Sequence, residues 1–159
     1  MKRTLLLSTC LTLILTLNSC DVIAPKDSPG TMNNTQLEEL LRQVCSSVEG
    51  ESGQWQVVYK DKKIICLTDE SHDRMRFISA IAKMDEISEE QLRFCMSANF
   101  DRALDARYCV SRDILWAAFI HPLSELSEDF AADALNQVAN LAENFGTSYA
   151  SGGLTFGSE

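Results

Sequence analysis

The sequence predicts an α+β domain in which helices pack on an antiparallel sheet, and three observations carry that prediction. Apolar residues recur at three- and four-residue steps in three stretches, and they alternate with polar residues in five others. The two kinds of stretch follow in the order α-β-β-β-α-β-β-α, which groups strands in runs and points to hairpins rather than parallel crossovers. With 159 residues, 45% of them hydrophobic, the chain is short enough for one domain and too apolar to stay disordered.

The first segment concerns targeting rather than folding. Met1-Lys2-Arg3 precedes an apolar run from Leu5 to Leu17, the layout of a secretion signal. Its 13 residues fall well below the ~20 that a membrane-spanning helix needs. The run closes on Leu17-Asn18-Ser19-Cys20, which resembles the lipobox of bacterial lipoproteins. That resemblance implies removal of residues 1–19 and a diacylglyceryl group on Cys20, with ordinary signal cleavage as the alternative. Acyl chains on Cys20 would hold the protein to a lipid bilayer, since each buried CH₂ contributes ~0.8 kcal/mol. Asp21 is similar to the residue that keeps such proteins in the inner membrane, so the expected location is the periplasmic side of a bacterial envelope.

Of 14 basic and 23 acidic side chains, loss of Lys2 and Arg3 leaves 12 against 23, a charge of −11. Such a body stands off anionic lipid and lacks the cations that nucleic-acid binding requires. Residues 20–34, with Pro25, Ser28, Pro29 and Gly30, have linker composition, and a flexible tether of that length reaches roughly 20 Å.

The domain is expected over 35–149. Thr35 reads as the cap of a helix carrying Leu37, Leu40, Leu41, Val44, Cys45 and Val48, stopped by Gly50 and Gly53. The period then falls to two: Trp55, Val57 and Tyr59, a turn at Asp61-Lys62, and Ile64 to Thr68 form a hairpin. Met75, Phe77, Ser79 and Ile81 continue it as a third strand, with Arg74, Arg76, Ile78 and Ala80 on the opposite side. Ser88-Glu89-Glu90-Gln91 has capping-box spacing and opens a second helix ahead of Leu92, Cys95, Met96 and Phe100. Leu104–Val110 and Ile114–His121 form a second hairpin ended by Pro122. Ser127 caps a long helix closed by Gly146, and the Gly- and Ser-rich residues 150–159 read as a mobile tail.

The stretches Ala98-Asn99-Phe100, Ala103 to Tyr108, Trp116 to Leu123 and Phe145 to Tyr149 resemble the YbjN-type domain, which has the type III secretion chaperone-like fold. The resemblance spans roughly residues 34–150 and implies a non-enzymatic fold that often forms homodimers and binds other polypeptides. A lipoprotein signal departs from cytosolic secretion chaperones, and no secretion substrate follows from it.

The second hairpin carries the candidate site. Leu104, Ala106, Tyr108, Val110, Leu115, Ala117 and Phe119 make one face, the expected core, while Ile114, Trp116 and Ile120 share the other with Asp105, Arg107, Cys109 and Ala118. A half-buried antiparallel strand does not need apolar residues on both faces. Ile114, Trp116 and Ile120 are therefore expected to form a contact patch for a protein or peptide, with Arg107 stacked on the indole. The alternative is that the C-terminal tail or the long helix covers this face.

Chemistry has little to build on. Cys45, Cys66, Cys95 and Cys109 contain no CxxC spacing, and no nucleophile elbow, phosphate loop or HExxH occurs. No cofactor or metal is expected, and the acids near Asp69 and Asp85 read as turn and helix-start charges. Two further readings stay open: a small thiol-dependent envelope enzyme pairing Cys66 or Cys109 with His72 or His121, and a structural lipoprotein without a specific ligand.

Overall fold

The computed structural model describes residues 31–156. The signal segment, Cys20, Asp21 and the linker up to residue 30 lie outside these residues, as do residues 157–159. The chain runs through α1 (Asn34–Val44), β1 (Ser47–Glu51), β2 (Gln54–Tyr59), β3 (Lys62–Asp69), β4 (Arg74–Lys83), a 3-10 turn (Met84–Glu86), α2 (Glu89–Asp101), β5 (Arg107–Ser111), β6 (Ile114–His121) and α3 (Glu128–Glu143). The strands form one antiparallel six-stranded sheet in the order β1-β2-β3-β4-β6-β5. The α+β class and the predicted succession of elements hold, with one strand more than the pattern predicts.

Local chemistry explains most boundaries. Lys60-Asp61 and Arg112-Asp113 take positive φ at both central positions of two-residue turns, whose twist matches that of the strands they join. Ser88 and Gln91 close a reciprocal capping box on α2, and the Ser127 hydroxyl accepts the Phe130 N–H at the start of α3. Acids occupy the first turn of both helices, beside the positive end of the dipole.

One layer of core lies between the sheet and the helices. Trp55, Val57, Ile64, Cys66, Met75, Phe77, Leu115, Ala117 and Phe119 point from the strands into it. Ala131, Ala134, Leu135, Val138 and Leu141 of α3 meet them, and Leu37, Leu40 and Leu41 of α1 close one end. Alanines on α3 leave room for the helix to approach the sheet closely, and it touches β2 through β6. Gln137 is buried and polar, as are Ser79 and Ser151; its Oε1 accepts the N–H groups of Asp105 and Ala106 at 2.9 and 3.0 Å, where the chain bends ahead of β5.

Several expectations need correction. The first helix ends at Val44, because Ser46 turns its N–H and hydroxyl to the Val58 carbonyl and the following residues pair with β2. Val48 suits either period, facing the core from a strand or continuing the α1 stripe, and pairing decided between them. Gly50 therefore lies inside β1 rather than stopping a helix; at φ +122° its missing Cβ avoids the Gln54 carbonyl, 2.3 Å from where that atom would stand. Asn33, not Thr35, caps α1, and Met32 is buried, so the folded region begins before residue 35. The strand expected from Leu104 starts at Arg107, since Leu104 has a left-handed backbone (φ +51°). Val110, expected in the core, is exposed at the hairpin end of an edge strand. The stretch expected as a mobile tail is bonded in place: Ser151 N–H donates to the Arg102 carbonyl and Phe156 N–H to the Asp101 carbonyl, and the Ala150 and Ser151 carbonyls accept from the Asn144 and Asn140 amides.

Candidate functional site

Helices cover one face of the sheet, and among the described residues no element packs on the other. The strand register writes that open face out row by row. In the middle row, reading from β1 to β5, stand Glu49, Gln56, Ile65, Ile78, Ala118 and Arg107. On one side of it run Glu51, Gln54, Leu67, Arg76 and Ile120, and on the other Ser47, Val58, Lys63, Trp116 and Cys109 with Ala80 of β4 beside Trp116. The centre, over β3, β4 and β6, is thus largely apolar. Acids mark the β1 margin and arginines the β4–β5 side.

Ile114, Trp116 and Ile120 all lie on this open face, as the hairpin pattern predicts, and Ile120 is 59% exposed. Neither the C-terminal tail nor α3 covers them: α3 packs on the opposite face, and the tail runs past Asp101 and Arg102. The Trp116 indole is pinned by its Nε1–H, which donates to the Ser111 carbonyl at 3.1 Å across the hairpin. Arg107 does not stack on it; its guanidinium donates to the Ala106 carbonyl at 2.8 Å. Beside the acidic margin, a depression of about 470 Å³ is lined by Glu49, Gly50, Glu51, Gln54 and Gln56.

The two edges of the sheet differ. At β5, Asn99 of α2 accepts the Tyr108 N–H at 2.7 Å and donates to the Tyr108 carbonyl at 3.0 Å, so a side-chain amide stands in for a seventh strand. At β1, among the described residues, no side chain reaches the backbone of Val48–Glu51.

Sequence reasoning missed a second exposed apolar surface. Met96 and Phe100 belong to the apolar set that the sequence places on α2, and Phe100 is 90% exposed while Met96 and Phe94 are about half exposed, with Leu154 and Phe156 of the tail also uncovered. The reason is placement. Because α2 lies beside the sheet edge, it fully buries only Cys95 and Ala98, and Phe100 at its far end is left almost wholly uncovered. Phe94 stacks on Tyr149 at 5.6 Å.

Among the described residues no thiol is prepared for nucleophilic chemistry. Burial pushes Cys45 and Cys95 up to about 11 and Cys66 and Cys109 upward as well, which disfavours the thiolate. All four are free. His121 stacks on Phe119, meets Phe130 edge to face and bonds the Pro122 carbonyl, while His72 sits on an exposed turn with Asp69 and Ser71; neither bonds a cysteine. Hydrogen bonds from Ser71 and His72 hold the Asp69 carboxyl at about 2, and those from Ser124 lower Asp73. These acids fasten turns.

No protein-family model and no curated protein matches this chain. Solved structures do. A chain of the HopA1–SchA chaperone–effector complex superposes with a TM-score of 0.55 at 11% identity, covering 70% of this chain and 90% of that one. A chain of the ExsC–ExsE complex superposes with a TM-score of 0.53 at 14% identity, covering 80% and 100%. At such identities the likeness shows the fold, which is therefore chaperone-like: an antiparallel sheet with helices on one face, seen in chains that are parts of protein–protein complexes.

Proposed function

We propose that this chain is a membrane-anchored lipoprotein of the bacterial envelope whose domain is a non-enzymatic protein- or peptide-binding module of the YbjN type. One observation carries the reading: the largely apolar centre of the open face, with Ile114, Trp116 and Ile120 on a rigid hairpin, has no cover among the described residues. Fold likeness to chains of a chaperone–effector complex and of the ExsC–ExsE complex supports it. So does the chemistry of Cys45, Cys66, Cys95 and Cys109, whose titration burial moves upward, away from an activated thiolate. The lipobox at Leu17–Cys20 supports attachment to the bilayer, and Asp21 supports retention in the inner membrane.

Crosslinking in native membranes followed by affinity capture tests the binding role. A polypeptide recovered with the wild type and lost with Trp116→Glu is the expected result, and equal recovery with both sinks it. For the anchor, labelled palmitate is expected in the wild type and absent in Cys20→Ala, and moving the signal off the inner-membrane fraction is expected for Asp21→Ser.

A further inference from the structure

The apolar surface on α2 and the tail takes no part in the open face, and its chemistry is different. Arg93, Met96 and Phe100 follow one another at three- and four-residue steps along the outward side of α2, while Phe94 on its flank stacks on Tyr149. The tail is fastened beside them: the Phe156 N–H donates to the Asp101 carbonyl at 2.7 Å, one residue from Phe100. Charge is almost missing here. Residues 92–100 hold a single charged side chain, Arg93, and residues 144–158 hold none, in a chain of which 23% is charged. The acids of α2 stand at its two ends, Glu89 and Glu90 in the first turn and Asp101 in the last.

We propose that this α2–tail surface lies against the lipid bilayer, with Phe100 and Phe156 in the boundary between headgroups and acyl chains and Arg93 at the level of the phosphates. The inference depends on Cys20 carrying lipid, as proposed above. Eleven residues, Asp21 to Thr31, separate Cys20 from the first buried residue, Met32. Extended, they reach at most roughly 40 Å, about the diameter of a domain of this size, so every side of the domain can touch the membrane that holds Cys20. Lipid is then the apolar phase always within reach, at high effective concentration.

Charge decides which side touches. An acidic body is repelled by anionic headgroups, so the side that approaches closely is the one without acids, and the open face has Glu49 and Glu51 at its margin. Shape agrees with charge. Phe100 stands 90% exposed at the end of a helix, a projecting ring that a soft phase accepts without a matching pocket. The backbone of α2 is paired within the helix, so its outward side chains enter the interface without stranding polar groups. Contact through α2 leaves Ile114, Trp116 and Ile120 free for a polypeptide.

Tryptophan emission in vesicles of phosphatidylcholine brominated on the acyl chains tests the contact, with acylated full-length protein. The emission added by Phe100→Trp is expected to fall about twofold relative to unbrominated vesicles, while that of the wild type, from Trp55 and Trp116, is unchanged. Phe156→Trp is expected to be quenched likewise, and adding Phe100→Glu should at least halve that quenching while the protein still floats with the vesicles and keeps its thermal midpoint. Phosphatidylglycerol in the vesicles should weaken the contact and added salt restore it, as repulsion of the acidic body requires.

Phe100→Trp emission that is not quenched, in protein that floats with the vesicles, overturns the docking and leaves the anchor standing; protein that does not float removes both. Quenching of the wild type overturns it as well, by seating Trp116 on the lipid. So does unquenched but blue-shifted Phe100→Trp emission in protein that sediments as a dimer, which would put a second copy on α2.

Discussion

The two faces of the sheet are made by alternate residues of the same strands, yet they have opposite fates. Phe77 and Phe119 point inward and are sealed under α3; Ile78 and Ile120, one residue further along, point outward to nothing in the described chain. What separates them is where the helices lie. Apolar side chains on the inner face are there for folding and are held by packing on all sides, whereas those on the outer face contribute little to the isolated fold and are available to a partner.

The largest effect should come from the inner face. Phe77→Ala removes a ring buried between α3 and Phe119 and is expected to cost about 3–5 kcal/mol in urea unfolding. Next comes the buried amide under the bend before β5: Gln137→Ala strands the N–H groups of Asp105 and Ala106 and should cost about 1–3 kcal/mol. At the sheet margin, Asn99→Ala should lower stability by about 1 kcal/mol and speed amide exchange at Tyr108, which loses both its partners. If that exchange is unchanged, the amide does not close the edge.

Acid sharpens the comparison differently. Asp69 and Asp73 have lowered folded-state values, so their contribution is complete above the ordinary carboxylate value of ~4 and is lost as pH falls toward 2. The thermal midpoint should drop across that window, and Asp73→Asn should flatten the drop. The smallest stability change belongs to the outer face: Ile120→Ser, measured at low protein concentration, should stay within about 0.5 kcal/mol of wild type. A loss comparable to that of Phe77→Ala would mean the outer face is structural after all.

The patch on the second hairpin was legible because a two-residue period in Ile114, Trp116 and Ile120 stands out against charged neighbours on β5. β1 was not, since Val48 continues the helical stripe of Leu37, Leu41 and Val44 and a five-residue strand with a glycine has little pattern of its own. Exposure of Met96 and Phe100 was equally hidden. Their spacing on α2 fits an inward face, and only the position of that helix beside the edge denies them a surface to meet.

By itself the sequence determined the class of fold, the caps at Ser88 and Ser127, the alternation of the strands and the lipobox-like segment, because each depends on residues a few positions apart. Tertiary structure alone decided that, among the described residues, the helices leave one face of the sheet bare, that Asn99 closes one edge, and that Glu49 and Arg107 stand at opposite margins of the bare face. Those facts join residues tens of positions apart, and they come into being only when strand pairing has set the register.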